Sequence, residues 1–239
     1  MLGLFKKKES LVGMDIGSSS IKLLELDLTG PKPKLVNIGL TPLQHDLITT
    51  NSIAKADKVA EKMAALADSN GVAMKRFTLA MPGPSVFTKR IQTQRMNAKD
   101  LSENIHFEAG NYIPHSIDAV RLDHHVLGEN GKSQLEVLLV AVKNEIIDSY
   151  VDTMGVAGLQ TAIVDVDYFA LQNCFETGYP ELRDKTVAIV NIGARYTSVN
   201  MTRGGQALFT GDVSVGGRAI TEEIAEALGV PFDEAETLK

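Results

Sequence analysis

Leu11-Val-Gly-Met-Asp-Ile-Gly-Ser-Ser-Ser-Ile-Lys-Leu-Leu-Glu-Leu26 sets an apolar run against a small polar turn and then a second, alternating apolar run. That order predicts a strand, a tight turn and a strand. Gly17 permits a backbone path that a Cβ would block. Ser18, Ser19 and Ser20 place hydroxyls and backbone N–H groups at the tip. Such a turn suits the β- and γ-phosphates of a nucleotide. Lys22 adds positive charge, and Asp15 is placed to organise Mg²⁺ through water. Taken alone, the segment equally fits an ordinary β-hairpin in which Asp15 bonds its own turn.

A second copy of the unit changes that balance. Lys185-Thr-Val-Ala-Ile-Val-Asn-Ile-Gly-Ala-Arg-Tyr-Thr-Ser-Val-Asn-Met201 repeats the apolar strand, the polar-Ile-Gly turn and the alternating strand, with Asn191 lying 176 residues after Asp15. Duplication of a supersecondary unit is an architectural signal, more specific than either copy.

The chain has 239 residues, 44% hydrophobic and 23% charged, so a sizeable core is expected and global disorder is not. One large domain or two small ones fit that length. A net charge of -6 argues against a general nucleic-acid-binding surface. No stretch reaches the apolar length needed to span a bilayer, and Met1–Phe5 is too short for a secretory h-region. Met1-Leu-Gly-Leu-Phe-Lys-Lys-Lys8 reads as a frayed terminus or, at most, an assisting contact with an anionic membrane surface. The single cysteine, Cys174, rules out an intrachain disulfide and fits a reducing cytosol. Its place in the helical pattern Tyr168-Phe-Ala-Leu-Gln-Asn-Cys-Phe175 reads as a buried structural thiol. The five histidines have no metal-ligand spacing; His124 and His125 are adjacent and face opposite ways on a strand.

Between the two glycine turns, periodicity predicts a helix over Ile53–Ala67, with Gly71 at its C-terminus, and a buried strand Phe77–Met81 stopped by Pro82-Gly-Pro84. A strand Val86–Gln92 follows, then a helix capped by Asn97 and ended by Pro114. Strands Ala119–Val126 and Leu135–Val142 flank the hairpin signal Asn130-Gly131. Helix Asn144–Met154 carries the core stripe Ile146, Tyr150, Val151 and Met154. Strand Gln160–Val164 and helix Val166–Thr177 lead to a boundary at Tyr179-Pro180, and Glu181–Lys185 reads as solvated surface. After the second glycine unit come a strand Ala207–Thr210, the link Val215-Gly-Gly217, helix Arg218–Leu228 closed by Gly229, and a last helix with Asp233 as cap and Glu236 at the capping-box position.

These residues resemble the actin-like ATPase superfamily. The resemblance implies an α/β, ribonuclease H-like, two-lobed ATPase fold in which each lobe gives a glycine-turn hairpin to the phosphates of ATP bound with Mg. Asp15–Lys22 looks like the first phosphate motif and Asn191–Thr197 like the second. Glu236-Thr-Leu-Lys239 is similar to the Glu-x-x-Lys that meets ribose and adenine in some members. The nucleotide residues so implied are Asp15, Gly17, Ser18, Ser19, Ser20, Lys22, Asn191, Gly193, Thr197, Gly216, Gly217, Glu236 and Lys239, with Asp15 also reaching Mg through water; no catalytic residue is assigned.

The match extends to the PilM family of type IV pilus assembly. It is carried by Met1–Lys8, Asp15–Leu26, Glu108-Ala-Gly-Asn-Tyr-Ile-Pro114, Val164-Asp-Val-Asp-Tyr-Phe-Ala-Leu171 and Phe232-Asp-Glu-Ala-Glu-Thr-Leu-Lys239. The resemblance implies a first lobe over 10–85 and 143–180, a small inserted α+β subdomain over 86–142, and the start of a second lobe over 185–239. It also implies a cytoplasmic scaffold, peripheral at the inner membrane, whose partner is the N-terminal cytoplasmic tail of PilN, alongside other inner-membrane pilus assembly proteins. The implied groove involves the Pro82–Val86 crossover and the helix Asn97–Tyr112. Nucleotide would set closure of the lobes, and closure would bias partner binding reciprocally. Homo-oligomerisation is left open, and neither nucleic acid nor direct membrane contact is implied.

Two departures from the pattern carry expectations. Asn191 stands where the superfamily usually has Asp; an amide neither neutralises Mg²⁺ nor serves as a base, so weak or absent hydrolysis is expected. The second lobe stops at Lys239, before the family's Gly-rich adenosine loop, so this stretch is expected to be a partial chain with poor nucleotide affinity. Two alternatives use the same superfold: a sugar or acetate kinase, which needs a carboxylate base and for which Asp165 and Asp167 lie near the cleft although their setting between a strand and a helix favours a helix N-terminal role instead, and an FtsA-like filament-forming division protein.

Overall fold

The computed structural model describes residues 12–44, 46–49, 52–72, 76–131 and 133–239. The surface reading of Met1–Lys8 lies outside the described residues.

The opening unit folds as the antiparallel hairpin β1 (Val12–Ile16) and β2 (Ser20–Asp27), with Asp15 directly opposite Lys22. A third strand, β3 (Lys34–Pro42), pairs with β2 and forms the edge of the sheet. Helix α1 (Ala56–Ser69) follows. It begins after Ile53, which forms a β-bridge with Ile48 instead of a first helical turn. Strand β4 (Arg76–Met81) returns parallel to β1.

Between Val86 and Lys143 the chain leaves this sheet and builds another. Strands β5 (Val86–Gln94), β6 (Val120–Asn130) and β7 (Gln134–Lys143) form an antiparallel sheet with β7 central. Helix α2 (Ala98–Glu108) crosses it, and the Asn97 side chain accepts the N–H groups of Lys99 and Asp100, both at 3.0 Å. Its own core joins Ile91, Val137 and Leu139 of the strands to Leu101 and Ile105 of the helix.

The chain then re-enters the first body through α3 (Asn144–Val156) and β8 (Gln160–Val166), which pairs parallel to β4. The sheet order is β3-β2-β1-β4-β8. Alternation along β1, β2 and β4 sends Val12, Met14, Ile21, Leu23, Phe77 and Leu79 to one face, where α1 supplies Val59 and Met63 and α3 supplies Tyr150 and Met154. The opposite face of the sheet's β3 edge leaves Leu24, Ile38 and Leu40 exposed.

Helix α4 (Asp167–Gly178) links this body to the second glycine unit. That unit is β9 (Val187–Ile192), β10 (Thr197–Arg203) and β11 (Gln206–Val213), antiparallel with β10 central, followed by α5 (Gly217–Leu228) and α6 (Phe232–Leu238).

Two sequence expectations are corrected. Cys174 is exposed. α4 is held through Tyr168 and Gln172, one turn apart and buried, which rotates Cys174 outward. The capping box of α6 does not form: Pro231 precedes the first turn with no side-chain cap, and Glu236 reaches Thr221 and Lys239 instead.

Candidate functional site

The two glycine turns have the same backbone geometry. In the β1–β2 turn, Gly17 N–H donates to the Ser20 carbonyl at 3.0 Å; in the β9–β10 turn, Gly193 N–H donates to the Tyr196 carbonyl at 3.0 Å. A Cβ on Gly17 would lie 3.2 Å from Ser20 O, and one on Gly193 would lie 2.9 Å from Tyr196 O. Each turn therefore brings bare backbone to the surface it presents.

Both turns open onto one cleft of about 1590 Å³. The first turn contributes Asp15, Gly17, Ser18, Ser19, Ser20 and Lys22, and the second contributes Asn191 and Gly193. Gly217 lies at the start of α5, Glu236 is on α6 and Lys239 follows its end. Of the residues singled out from sequence, Thr197 and Gly216 do not line the cleft. Thr197 donates its hydroxyl to the Val215 carbonyl at 2.8 Å, tying β10 to the link before α5. Gly216 is packed beneath the second turn, where a Cβ would come within 2.6 Å of both the Gly193 and Ala194 carbonyls. Those carbonyls receive the Gly217 and Arg218 N–H groups at 2.9 and 2.8 Å, so the N-terminus of α5 buttresses the turn.

Across the β1–β2 hairpin, Lys22 Nζ meets Asp15 Oδ2 at 2.7 Å, both side chains about half exposed. Lys239 Nζ donates to Glu236 Oε2 at 2.8 Å, Thr221 Oγ1 at 2.9 Å and the Gly217 carbonyl at 3.2 Å. The bonds from Lys239 and Thr221 hold the Glu236 carboxyl below its usual range. Arg218 stacks over Phe232 with its guanidinium carbon 5.5 Å from the ring centre.

The cleft also contains Asp167, in the first turn of α4. Burial pushes its carboxyl up to about 6, against the Gly83 and Tyr168 N–H groups it accepts, and Asp212 and Asp15 add to the rise. Burial raises Asp212 as well. Phenols face these carboxylates: burial carries Tyr150 up to about 12, with Asp15 and Asp167 contributing, and raises Tyr196 further, with the same acids among the causes. Asp167 was visible in the sequence only as an acid near the cleft. Arg195 and Tyr196 line the cleft from the second turn itself, whereas Arg218 and Phe232 carried no separate signal because they belong to α5 and α6.

This donor set fits a phosphate-bearing anion: two turns each opened by a glycine, three serine hydroxyls, and the cations Lys22, Arg218 and Lys239. For a divalent ion, no cluster of three or more His, Cys, Asp or Glu that could hold a metal occurs among the described residues. Asp15 and Asn191 instead suit Mg²⁺ held by phosphate oxygens and reached through water.

A second cavity, of about 780 Å³, lies on the other side of α4. Its walls are β6 with Arg121–His125, β8 with Thr161–Val166, Ile147 and Val151 of α3, and Gly205 and Ala207 at the β10–β11 turn. β6 and β8 are both sheet edges. The Pro82–Val86 crossover and α2 line neither cavity. No helix among the described residues is long and apolar enough to cross a membrane.

Comparison with known proteins gives the family and the fold. Residues 13–239 match the family described as type IV pilus assembly protein PilM. Among solved structures, the chain superposes on the PilM-PilN type IV pilus biogenesis complex with a TM-score of 0.87 and 26% identity, covering 97% of this chain and 69% of that one. The ethanolamine utilization protein EutJ from Carboxydothermus hydrogenoformans matches with a TM-score of 0.58 and 16% identity, covering 97% of this chain and 61% of that one. MreB5 of Spiroplasma citri bound to AMPPNP matches with a TM-score of 0.55 and 10% identity, covering 98% of this chain and 62% of that one. The last two show the fold alone, an actin-like α/β frame.

Proposed function

This chain belongs to the PilM family of type IV pilus assembly proteins, and from that premise we propose that it is a nucleotide-binding scaffold for the N-terminal cytoplasmic tail of PilN at the inner membrane. The observation that carries the nucleotide half is the pair of equivalent glycine turns facing one cleft. In this reading ATP lies between them. Lys22 and the Ser18–Ser20 turn hold the terminal phosphates, and the second turn closes over them from Gly193. Glu236 and Lys239 meet the nucleoside, and Asp15 orients the water shell of Mg. The bound nucleotide supplies a charged tether between the lobes. Asn191 leaves the attacking water without a base at that position, so hydrolysis is weak or absent.

The partner half is supported by the family and by the 780 Å³ groove between β6 and β8. Edge strands offer unpaired backbone groups to an extended peptide, and the apolar walls at Val140, Val142 and Ile163 offer side-chain pockets. The inserted subdomain over 86–142 supplies one wall and the first lobe, over 10–85 and 143–180, supplies another.

The test is a titration of a labelled synthetic peptide, the N-terminal tail of the cognate PilN, into this chain, followed by fluorescence anisotropy. Saturable binding is expected, weakened by charge substitutions at Ala162 or Val140 in the groove. A folded sample that binds no peptide overturns the scaffold reading. A phosphotransferase remains the second reading because Asp167, a carboxyl raised toward neutrality, lies in the cleft; a screen for substrate-dependent ATP turnover separates the two.

A further inference from the structure

The chain has two Asn-Gly dipeptides, Asn70-Gly71 and Asn130-Gly131. An Asn-Gly pair can cyclise on itself, because no Cβ shields the glycine nitrogen from the asparagine side chain. Two conditions must hold. The side-chain amide must be able to turn toward that nitrogen, and the nitrogen must not be held in a hydrogen bond of its own. The two sites differ on both counts.

Asn70 follows the last turn of α1 and is tied from both ends. Its Nδ2 donates to the Leu66 carbonyl at 2.8 Å, and Gly71 N–H donates to the Asp68 carbonyl at 3.0 Å. The amide is also pressed against the sheet: a Cβ on Gly39 of β3 would lie 2.5 Å from Asn70 Nδ2. Freeing this side chain means opening the end of a helix that gives Leu66 and Ala67 to the core. Asn130, by contrast, ends β6 at the tip of the β6–β7 hairpin, where its backbone pairs with Gln134. Asn130 and Gly131 are both exposed, and a Cβ on Gly131 would meet nothing within 4 Å. Among the described residues neither the Asn130 amide nor the Gly131 N–H makes a hydrogen bond.

We propose that Asn130 is a site of spontaneous covalent modification in the folded chain, and that Asn70, with the same dipeptide, is protected by its packing. The Gly131 nitrogen gives its proton to water and attacks Cγ of Asn130. The Cγ–Nδ2 bond breaks, ammonia leaves, and a succinimide ring joins the two residues. Water then opens the ring at one of its two carbonyls, leaving aspartate or isoaspartate at position 130. The only co-reactant is water, and nothing is oxidised or reduced. Either product adds one negative charge next to Glu129, which pairs with Arg95 at 2.9 Å. Isoaspartate also adds a carbon to the main chain, which breaks the pairing with Gln134. A register shift between Val126 and Gly128 separates the tip from Arg121–His125, the part of β6 that lines the groove. The disturbance therefore ends at that irregularity, and the groove wall keeps its pairing.

The test holds the full chain in mildly alkaline buffer, folded and in urea, and samples it over days. Peptide mapping by mass spectrometry reads each asparagine, and a protein isoaspartate methyltransferase with labelled S-adenosylmethionine reads isoaspartate. In the folded chain Asn130 is expected to convert about tenfold faster than Asn70 or more, because Asn70 must first open locally. In urea the two rates are expected to converge. Asn130→Gln is expected to remove the methyl-accepting product while leaving the melting temperature unchanged. Hydrogen exchange in the aged sample is expected to rise at Glu129 and Leu135 and to stay level at the paired residues His124 and Leu139. Equal rates at the two sites in the folded chain, or conversion of Asn130 only in urea, overturn the proposal. Rates that stay as far apart in urea overturn the protection of Asn70 by packing. Faster exchange at His124 overturns confinement to the tip.

Discussion

The β1–β2 and β9–β10 turns share a backbone and differ in almost everything attached to it. Both close with a glycine N–H to a carbonyl three residues on, at 3.0 Å. The first turn carries charge and hydroxyls: the Asp15–Lys22 pair directly across the hairpin, then three serines. The second carries no ion pair between its strands at the matching place, where Asn191 faces Ser198. It is braced from below by the N-terminus of α5 and leaves no room for a side chain at Gly216. One turn is a chemical surface on an ordinary hairpin; the other is a rigid plate. A duplicated fold unit can thus diverge, with one copy carrying charge and hydroxyls and the other a braced backbone.

The sharpest way to break that comparison is a methyl group. Gly216→Ala meets two carbonyls at 2.6 Å, and backbone must move; a loss of about 2–3 kcal/mol is expected, seen as a fall in Tm of roughly 4 °C or more. A melt unchanged within a degree would mean the plate is not rigid. Next in size, Asn191→Asp restores a carboxylate to the second turn. Phosphate release is expected to rise by up to about a hundredfold; an unchanged rate would show that the missing base is not what limits hydrolysis. Lys22→Ala is expected to cost nucleotide affinity about tenfold, the worth of one charge-assisted bond. It should leave stability nearly untouched, because exposed ion pairs contribute about 0–1 kcal/mol.

Per pH unit, the effect of Asp167, which lines the same cleft, is no larger. Its carboxyl is raised to about 6 in the folded chain from 3.8. The folded state therefore holds a proton that the unfolded chain releases between those values. Stability falls as pH rises through that window, by at most about 1.4 kcal/mol per pH unit, and the cost is fully present above it. Asp167→Asn removes the titration, so its urea midpoint should exceed the parent's near neutrality, with the gap closing toward pH 4. A gap independent of pH would assign the effect to packing. The smallest change is Gly17→Ala, whose Cβ at 3.2 Å from Ser20 O needs a shift of a few tenths of an ångström. A loss under about 1 kcal/mol is expected, and a loss equal to that of Gly216→Ala would erase the distinction between the turns.

Much of this was legible because it is local. The glycine turns, the Asn97 cap and the spacing of Val59 and Met63 depend on residues within one or two turns of each other. Strand β3 was not foreseen: Leu35, Val36, Ile38 and Leu40 fall on both faces of an exposed edge, so no amphipathic contrast marks them. Cys174 was misread for the opposite reason, since its helix is apolar on two sides and only the Tyr168–Gln172 side is covered. The importance of Asp167 depends on Gly83 and Asp212, both distant in sequence. The capping box failed because Lys239 and Thr221 compete for the same carboxylate. Beneath the second turn, Gly216, grouped from sequence with the ligand residues, is packed against backbone. A glycine needed for closeness to protein and one needed for closeness to phosphate leave the same letter.

Strand β3 has a practical consequence. It is the outer strand of its sheet, with Val36, Ile38 and Leu40 more than half exposed. Its outward row of backbone groups is a template for any other strand it meets. Lys34 and Pro42 stand at its two ends, where they blunt annealing but leave the middle open. Solubility of this stretch of chain should therefore be limited by crowding of like molecules before heat: the first sign of trouble in a concentrated sample would be slow edge-to-edge growth of still-folded material.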